Sequence, residues 1–344
     1  MKRSLEAALQ LLAPAVLVVV VGIWSTLVSD ANELYFLNAL VAVAMVVAIY
    51  VFVGNSGVLS FGQISFVAVG AFAAGVMTVP VESKLGVLPD IYPVLRDNTI
   101  GNVQSLLLAA AVGGVFAFVV GLPLMRLSGL AAGIATFAVL EITHNLLREW
   151  TKIGPGPLAL SLVPETTDAV QATVGALIVI VVAFAYQRSR FGRLLRGSRE
   201  DAFAAQGVGV SVHRQRLWAF TLSGALAGFA GGLYVHLLGS ITTEQVYLEL
   251  TFLTLVMLVV GGATSLLGAV VGALVVSGLD SFLSEAEQGV SLGVSIDLPQ
   301  GSRLIFLGAI MALVLILRPS GLTGGRELRL PRLRWSRGGS AQPA

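Results

Sequence analysis

The chain has 344 residues and a formal net charge of +2; 56% of its residues are hydrophobic and only 12% are charged, and its mean hydropathy is +0.88. Soluble globular domains carry about a quarter charged residues, so this composition predicts a protein embedded in a lipid bilayer. The sequence has no cysteine and its three histidines show no metal-ligand spacing, so we expect no disulfide, metal or cofactor, and no nucleic-acid partner.

Ten stretches are apolar enough, or nearly so, to cross the hydrocarbon core, which takes roughly 20 helical residues. They are 10–28, 34–53, 61–79, 104–124, 128–147, 170–187, 217–238, 250–263, 264–280 and 303–318. The first is longer than the apolar region of a signal peptide, and we interpret it as an uncleaved span. The predicted fold is an all-α polytopic membrane protein with about ten transmembrane segments.

The distribution of basic residues predicts the orientation, because lysine and arginine favour the cytoplasmic side. With the N-terminus inside, 16 of the 21 basic residues fall on the cytoplasmic side and 13 of the 19 acidic residues fall in external loops. Both termini are then cytoplasmic. We expect residues 1–320 to form one transmembrane domain and residues 321–344 to form a basic cytoplasmic tail, solvated or bound to lipid headgroups.

Residues 250–280 fit either one long helix or two short ones. One helix would place the arginine-rich tail outside, so two short segments that meet near Gly261 and Gly262 agree better with the charge distribution. Short segments interrupted by glycine often lie beside the pathway of a transporter. A tight glycine turn between closely packed helices explains these residues equally well, and both interpretations stay open at this point.

The long loop at 188–216 carries seven arginines and a short predicted helix. Ser198 is placed to cap the first turn of this helix, and Asp201 favours the positive end of its dipole. Gly207 and Gly209 can end it. A helix this short is marginal alone and needs a surface to pack against.

Two interpretations of loop 188–216 fit its residues equally well. In the first, the short helix docks on a partner protein through Phe203, its one aromatic residue. In the second, it lies on the inner leaflet while Arg193, Arg196 and Arg199 contact lipid phosphates.

An uncharged stretch rich in glycine and polar residues, 54–63, follows the second apolar segment. Irregular backbone at membrane depth needs protein or a wet cavity to satisfy its polar groups. One interpretation is a broken helix that lines the pathway and offers amide groups to a zwitterionic solute. The other is hydrogen bonding between helices across a close glycine contact. The side chains concerned are those of Asn55, Ser56, Ser60 and Gln63.

Glu141 is an ionisable residue in the fifth apolar segment, which also carries Thr136. A charge inside a membrane is costly and by default suggests function. However, Glu141 lies toward the external end and within reach of His144 one turn later, so a locally paired interfacial carboxylate is an equal alternative. Thr136 and Glu141 are candidate pathway residues, together with Gly261 and Gly262.

Four stretches, in family order, resemble the branched-chain amino-acid family of ABC importer permeases, and in detail its M-type subunit. They are GVLSFGQISF (57–66), LSG with EI (127–129 and 141–142), SRFGRLLRGSREDAFAAQGVGV (189–210) and AGFAGGLY (227–234). The third is similar to the cytoplasmic EAA coupling loop of these permeases. The resemblance covers roughly residues 35–320 and implies a type II-like importer permease.

The resemblance implies that two permease subunits, a heterodimer rather than a homodimer, form a pathway in the inner membrane of a prokaryotic cell. Two cytoplasmic ABC ATPase subunits would supply the energy, and an extracytoplasmic solute-binding protein would deliver a branched-chain or other apolar amino acid. The chain itself would not be an enzyme, because none of its three lysines has the neighbours of a phosphate-binding loop. Besides these subunits, its partners would be the membrane lipids.

The resemblance also assigns a role to the residues of the loop. Those that would contact the ATPase are Arg193, Arg199, Glu200, Asp201, Phe203, Ala205 and Gly209. Phe203 would be the apolar anchor in a groove of the ATPase, and the two acidic residues would pair with its basic groups. Gly207 departs from the family pattern, because it weakens the helix where a better helix former is usual.

Residues 130–133 also depart from the family pattern. They are small and apolar, where many members carry polar or aromatic residues, which leaves urea or short amides as alternative solutes. An ion-coupled secondary transporter is the alternative from another class. Such carriers usually embed charged residues, and here only Glu141 and Asp280 come close, both near segment ends. A membrane-embedded enzyme has no nucleophile–base pair to support it.

Overall fold

The protein is described by a computed structural model over residues 2–28, 30–127, 129–287, 299, 301–318, 320–325 and 327. Within these residues the chain is helical apart from its connections and one isolated antiparallel bridge between Leu160 and Ile241. The helices are α1 (Lys2–Ser25), α2 (Asp30–Ser56), α3 (Gln63–Thr78), α4 (Val81–Val87), α5 (Pro93–Arg96), α6 (Asn102–Leu124), α7 (Gly129–Glu149), α8 (Ala169–Arg188), α9 (Arg190–Glu200), α10 (Ala202–Gly207), α11 (Val212–Leu238), α12 (Leu248–Gly261), α13 (Leu266–Glu287) and α14 (Ser302–Leu317). Most of the predicted tail 321–344 lies outside the described residues.

Each of the ten predicted segments coincides with a helix, so the all-α polytopic prediction is confirmed. Length and composition make six of these helices capable of crossing a membrane: α1, α2, α6, α8, α11 and α13. Helices α3, α12 and α14 are apolar but shorter. The count of ten crossings therefore stays a prediction.

Residues 250–280 form two helices, as the charge distribution favoured. Helix α12 ends at Gly261 and α13 begins at Leu266. Gly262, at the turn between them, has a φ of +117°, a backbone conformation that glycine adopts without the strain of a side chain.

Helix α11 lies at the centre of the bundle and packs against α2, α3 and α6. Phe220 on α11 contacts Phe52 of α2 and Phe66 of α3 edge-on, with ring centroids 5.0 and 5.2 Å apart. The backbones also approach closely, because a Cβ atom at Gly231 of α11 would collide with the carbonyl oxygen of Val67. Such small residues let helices associate in lipid, where no hydrophobic effect drives helices together.

We predict that Gly231→Ala destabilises the protein, because the added methyl group has no room against the backbone of α3. Overpacking of this kind typically costs about 1–3 kcal/mol. The matched control is Gly308→Ala on α14, where a Cβ would meet nothing within 4 Å among the described atoms. In detergent, we expect Gly231→Ala to melt at a lower temperature than the wild type. Gly308→Ala should melt at the same temperature as the wild type. Equal melting temperatures for the two variants would contradict the packing described here.

Candidate functional site

Helices α9 and α10 form loop 188–216 at one end of the bundle. Asp201 separates them in an extended conformation, and its Oδ1 accepts the backbone N–H groups of Phe203 and Ala204 at 2.9 Å each. The predicted cap at Ser198 is wrong: this residue lies inside α9, and its hydroxyl donates to the carbonyl of Leu195 at 2.8 Å. The reason is that α9 continues to Glu200, so Asp201, which follows it, is the residue that caps α10.

The end of α10 follows the prediction. Gly209 has a φ of +83°, and the N–H group of Val210 donates to the carbonyl of Ala205 at 3.0 Å. This left-handed glycine turn is a common way for a helix to satisfy its last carbonyls.

One side of the loop presents an apolar and charged surface to its surroundings. Phe203 is 86% exposed and Val208 is 81% exposed. Beside them lies a groove of about 430 Å³, lined in part by Arg193, Glu200, Asp201 and Ala205. Exposed aromatic and aliphatic groups next to charged groups are typical of a protein interaction surface.

Arg199 points the other way, into the bundle. Its side chain lies over Gly57, where a Cβ atom would be 2.5 Å from Cγ of the arginine. Its Nη1 lies 3.4 Å from the carbonyl oxygen of Gly54, which belongs to the last turn of α2. Arg196 likewise donates from Nη2 to the carbonyl of Gln187. Two of the three arginines assigned to lipid phosphates by the second interpretation thus contact protein.

The connection between α2 and α3 (residues 57–62, the α2–α3 break) packs against α7, although Gly57 and Leu59 in it are exposed. The N–H group of Phe61 donates to Oγ1 of Thr136 on α7 at 3.1 Å. A Cβ at Gly54, just before the break, would be 2.6 Å from the carbonyl oxygen of Ala263, in the turn between α12 and α13. The break therefore contacts α7, and the last turn of α2 contacts the α12–α13 turn.

The polar side chains around the break are buried. The amide of Asn55 donates to Val51 at 2.9 Å, and Oγ of Ser56 accepts the N–H group of Val58 at 3.1 Å. Oε1 of Gln63 lies 3.0 Å from the hydroxyl of Ser223 on α11. Of these three contacts, the one between Gln63 and Ser223 joins two helices, as the second interpretation of this stretch expected, whereas Asn55 and Ser56 bond to nearby residues of the chain.

Some polar atoms at the break have no hydrogen-bond partner among the described residues. They are Oδ1 of Asn55, Oγ of Ser60 and Nε2 of Gln63, and all three residues are almost fully buried. Buried polar groups are usually paired. The break thus combines a packed glycine contact with polar atoms that its neighbours leave unsatisfied.

The first residues of the predicted tail (320–325 and 327, the C-terminal segment) are docked on the α12–α13 turn. The N–H group of Leu322 donates to Val260 at 2.8 Å, and Oγ1 of Thr323 donates to Gly261 at 2.8 Å. The N–H group of Leu266, at the start of α13, donates to Oε1 of Glu327 at 2.8 Å. Both helix ends at this turn are thereby capped.

Glu327 also links the turn to loop 188–216. Burial raises the pKa of its carboxyl group, and the Leu266 N–H group, the Arg196 guanidinium and the Tyr50 hydroxyl act in the opposite direction. Arg196 belongs to α9, so the charges that act on Glu327 include one from loop 188–216.

Glu141 lies apart from these residues. Its carboxylate accepts hydrogen bonds from the hydroxyl of Tyr247 and from Nδ2 of Asn145 at 2.9 Å, and the first raises the pKa of Tyr247 to about 12. His144 stacks on the Tyr247 ring, with centroids 3.9 Å apart. The carboxylate is locally paired, although mainly with Tyr247 and Asn145 rather than with His144.

The structure brings most of the predicted pathway residues to one place. Asn55, Ser56, Ser60, Gln63, Thr136, Gly261 and Gly262 surround the α2–α3 break or the adjacent α12–α13 turn, next to Arg199. Gly261 packs against Gly268 and Gly272 of α13 with no space for a Cβ. This contact gives Gly261 the packing role that the glycine-turn interpretation assigned to Gly261 and Gly262.

Sequence analysis missed a charged cluster at the opposite end of α12. Arg303 of α14 donates from Nε to Asp280 of α13 at 2.5 Å and from Nη2 to Glu249 of α12 at 2.9 Å. The cluster borders a cavity of about 330 Å³. The only signal in the sequence was an acidic and a basic residue at the ends of two successive apolar segments.

These features define a class: a polytopic helical membrane protein whose interrupted helices meet under an exposed helical loop. A family model described as the permease component of branched-chain amino acid transport systems matches residues 33–315. The chain belongs to this family, and a permease component works within a larger transport system.

Individual relatives agree with the family. The high-affinity branched-chain amino acid transport system permease protein LivM of Salmonella typhimurium is 27% identical over 90% of this chain and 73% of the relative. LivM of Escherichia coli is 28% identical over the same shares. The probable branched-chain amino acid transport permease protein LivM of Methanocaldococcus jannaschii is 24% identical over 82% of this chain and 90% of its own length.

We predict that Glu327 makes stability depend on pH. A carboxyl group whose pKa is raised in the folded protein binds its proton more tightly there than in the unfolded chain. Its contribution to stability is therefore present below the unfolded pKa and is lost as pH rises through the folded pKa. Glu327→Gln keeps the oxygen that caps α13 but removes this titration.

Melting temperatures between about pH 4 and about pH 8 test this prediction, since unfolded glutamate titrates near 4.3. The wild type should lose more stability with rising pH than Glu327→Gln. Glu82→Gln, an exposed acid on α4, is the control and should follow the wild type. If Glu327→Gln also follows the wild type, the carboxyl group is not buried at this turn.

Proposed function

We propose that this chain is a transmembrane permease subunit of an ATP-driven importer of branched-chain amino acids. It would lie in the inner membrane of a prokaryotic cell with both termini in the cytoplasm. A second permease subunit would complete the pathway, two cytoplasmic ABC ATPases would bind loop 188–216 and its counterpart, and an extracytoplasmic binding protein would deliver the solute. The relatives named for branched-chain amino acid transport support this solute class.

One observation carries the coupling role: the same loop exposes Phe203 on one side and inserts Arg199 into the α2–α3 break on the other. An ATPase that grips the exposed side would therefore move a side chain that lies on Gly54 and Gly57. From there the motion has direct contacts to α7 at Thr136 and to the α12–α13 turn at Ala263.

The function is tested with the complete complex in proteoliposomes that contain ATP. We expect leucine uptake that depends on the binding protein, is inhibited by vanadate and continues without a proton or sodium gradient. Uptake that requires an ion gradient and no ATP would instead identify a secondary transporter. If urea or acetamide is taken up in preference to leucine, the solute class is wrong, whereas the coupling role stands.

We predict that Phe203→Ala weakens binding of the ATPase subunit. Anchor residues of an interface typically contribute about 2 kcal/mol or more, which corresponds to roughly thirtyfold in Kd. The control is Phe252→Ala, which removes a half-exposed phenylalanine near the far end of α12. Binding of purified ATPase to permease in nanodiscs should weaken for Phe203→Ala alone. Unchanged affinity would exclude Phe203 as the anchor.

A further inference from the structure

The cavity beside Arg303 lies between α2, α11, α12, α13 and α14. On α2 its lining extends from Tyr35 to Met45, and on α12 from Glu249 to Met257. At 1.5 Å per helical residue, these stretches correspond to about 15 Å and about 12 Å of depth. The cavity therefore reaches from the end of the bundle opposite loop 188–216 toward its middle.

The mouth of this cavity carries more negative than positive charge. Arg303 contacts the carboxylates of Asp280 and Glu249 through its guanidinium, and its backbone N–H group donates to Glu287 at 2.6 Å. Asp280 and Arg303 are largely buried, with side chains 19% and 25% exposed. Ionisable groups embedded in membrane helices by default mark a functional site.

The charge distribution suits a zwitterionic ligand, which carries one positive and one negative group. Two carboxylates on the guanidinium, and a third on the backbone N–H group of the same arginine, leave an excess of negative charge that an ammonium group would neutralise. The guanidinium has five N–H donors, and within the part of the chain that the structure describes its side-chain contacts involve only Nε and Nη2. Nη1 can therefore donate hydrogen bonds to the carboxylate of a ligand.

The deep part of the cavity is mainly apolar, although Thr254 and Ser277 also line it. Its lining includes Ala42 and Met45 of α2 and Leu253 and Met257 of α12. Methionine is flexible and polarizable, so it adapts to apolar groups of different shape. A floor of this kind accepts several branched aliphatic side chains rather than one.

We propose that this cavity is a binding site for the amino acid on its way through the permease, an inference that rests on the proposed function. The ammonium group of the solute binds Asp280 and Glu249, its carboxylate binds Arg303, and its aliphatic side chain lies against Met45 and Met257. Met257 is one turn before Gly261, so a bound solute contacts the same helix whose other end meets the α2–α3 break.

The first test compares leucine uptake by the complete complex carrying Glu249→Gln or Asp280→Asn. Loss of a charged hydrogen bond to the solute should lower uptake by about tenfold or more, while ATP hydrolysis stimulated by the binding protein continues. The control is Asp97→Asn, which neutralises an exposed carboxylate paired with Arg96 and should leave uptake unchanged.

Glu249→Gln decides the result if Asp280→Asn fails to assemble, because Glu249 is half-exposed and glutamine keeps its size. Uptake by Glu249→Gln within about twofold of the wild type would overturn the site. If the wild-type complex itself takes up no leucine with ATP, it is the proposed function that fails. The two failures are thus distinguished by the wild type.

The second test determines which group of the solute is recognised. Thermal stabilisation of the complex, measured without binding protein, is compared for leucine, 3-methylbutylamine and 4-methylpentanoate. We expect leucine and the amine to stabilise the wild type, and Glu249→Gln to lose most of this effect. Stabilisation by the carboxylate alone, or by none of the three compounds, would contradict the site.

Discussion

The C-terminal ends of two helices inside this protein, α2 and α12, are satisfied by side-chain and backbone groups that reach in from one end of the bundle. A helix leaves four carbonyl groups without partners at its C-terminus, and in a membrane these need a protein partner. Arg199 lies beside the carbonyl of Gly54 in the last turn of α2. A cation at this position also complements the negative end of the helix dipole. Residues of the C-terminal segment do the same for α12.

This arrangement explains how a surface loop could control the interior of the bundle. Gly54 in the last turn of α2 and Gly261 at the end of α12 are packed without space for a side chain, so a shift of either helix end would disturb its neighbours. A displacement of loop 188–216 would therefore alter the contacts of α2 and, through Ala263, of the α12–α13 turn. Helix α12 is 14 residues long, about 21 Å, and connects this turn to the charged cluster at Glu249. We infer that α12 couples the α12–α13 turn, at the end of the bundle near loop 188–216, to the charged cluster at the opposite end.

Local pattern was sufficient to predict the ten apolar helices and the breaks between them, because both follow from hydropathy and from glycine, but it did not predict α4, α5 or α9. The split at Gly262 followed from the charge distribution, and the end of α10 followed from Gly209. Contacts between distant residues could not be predicted in this way. Arg303 is 23 residues from Asp280 and 54 from Glu249, and Glu141 is 106 residues from Tyr247. The inward turn of Arg199 likewise depends on the position of α2, which a single sequence does not reveal.

The most direct test of this account is the number of leucine molecules taken up per ATP hydrolysed by the complex carrying Arg199→Ala. Removal of this side chain should separate the two activities: ATP hydrolysis persists because Phe203 still docks, whereas uptake falls because the last turn of α2 loses its contact with the Arg199 side chain. Arg190→Ala, which alters an exposed arginine at the start of α9, should retain the wild-type ratio. An unchanged ratio for Arg199→Ala would show that the loop does not act through the α2–α3 break.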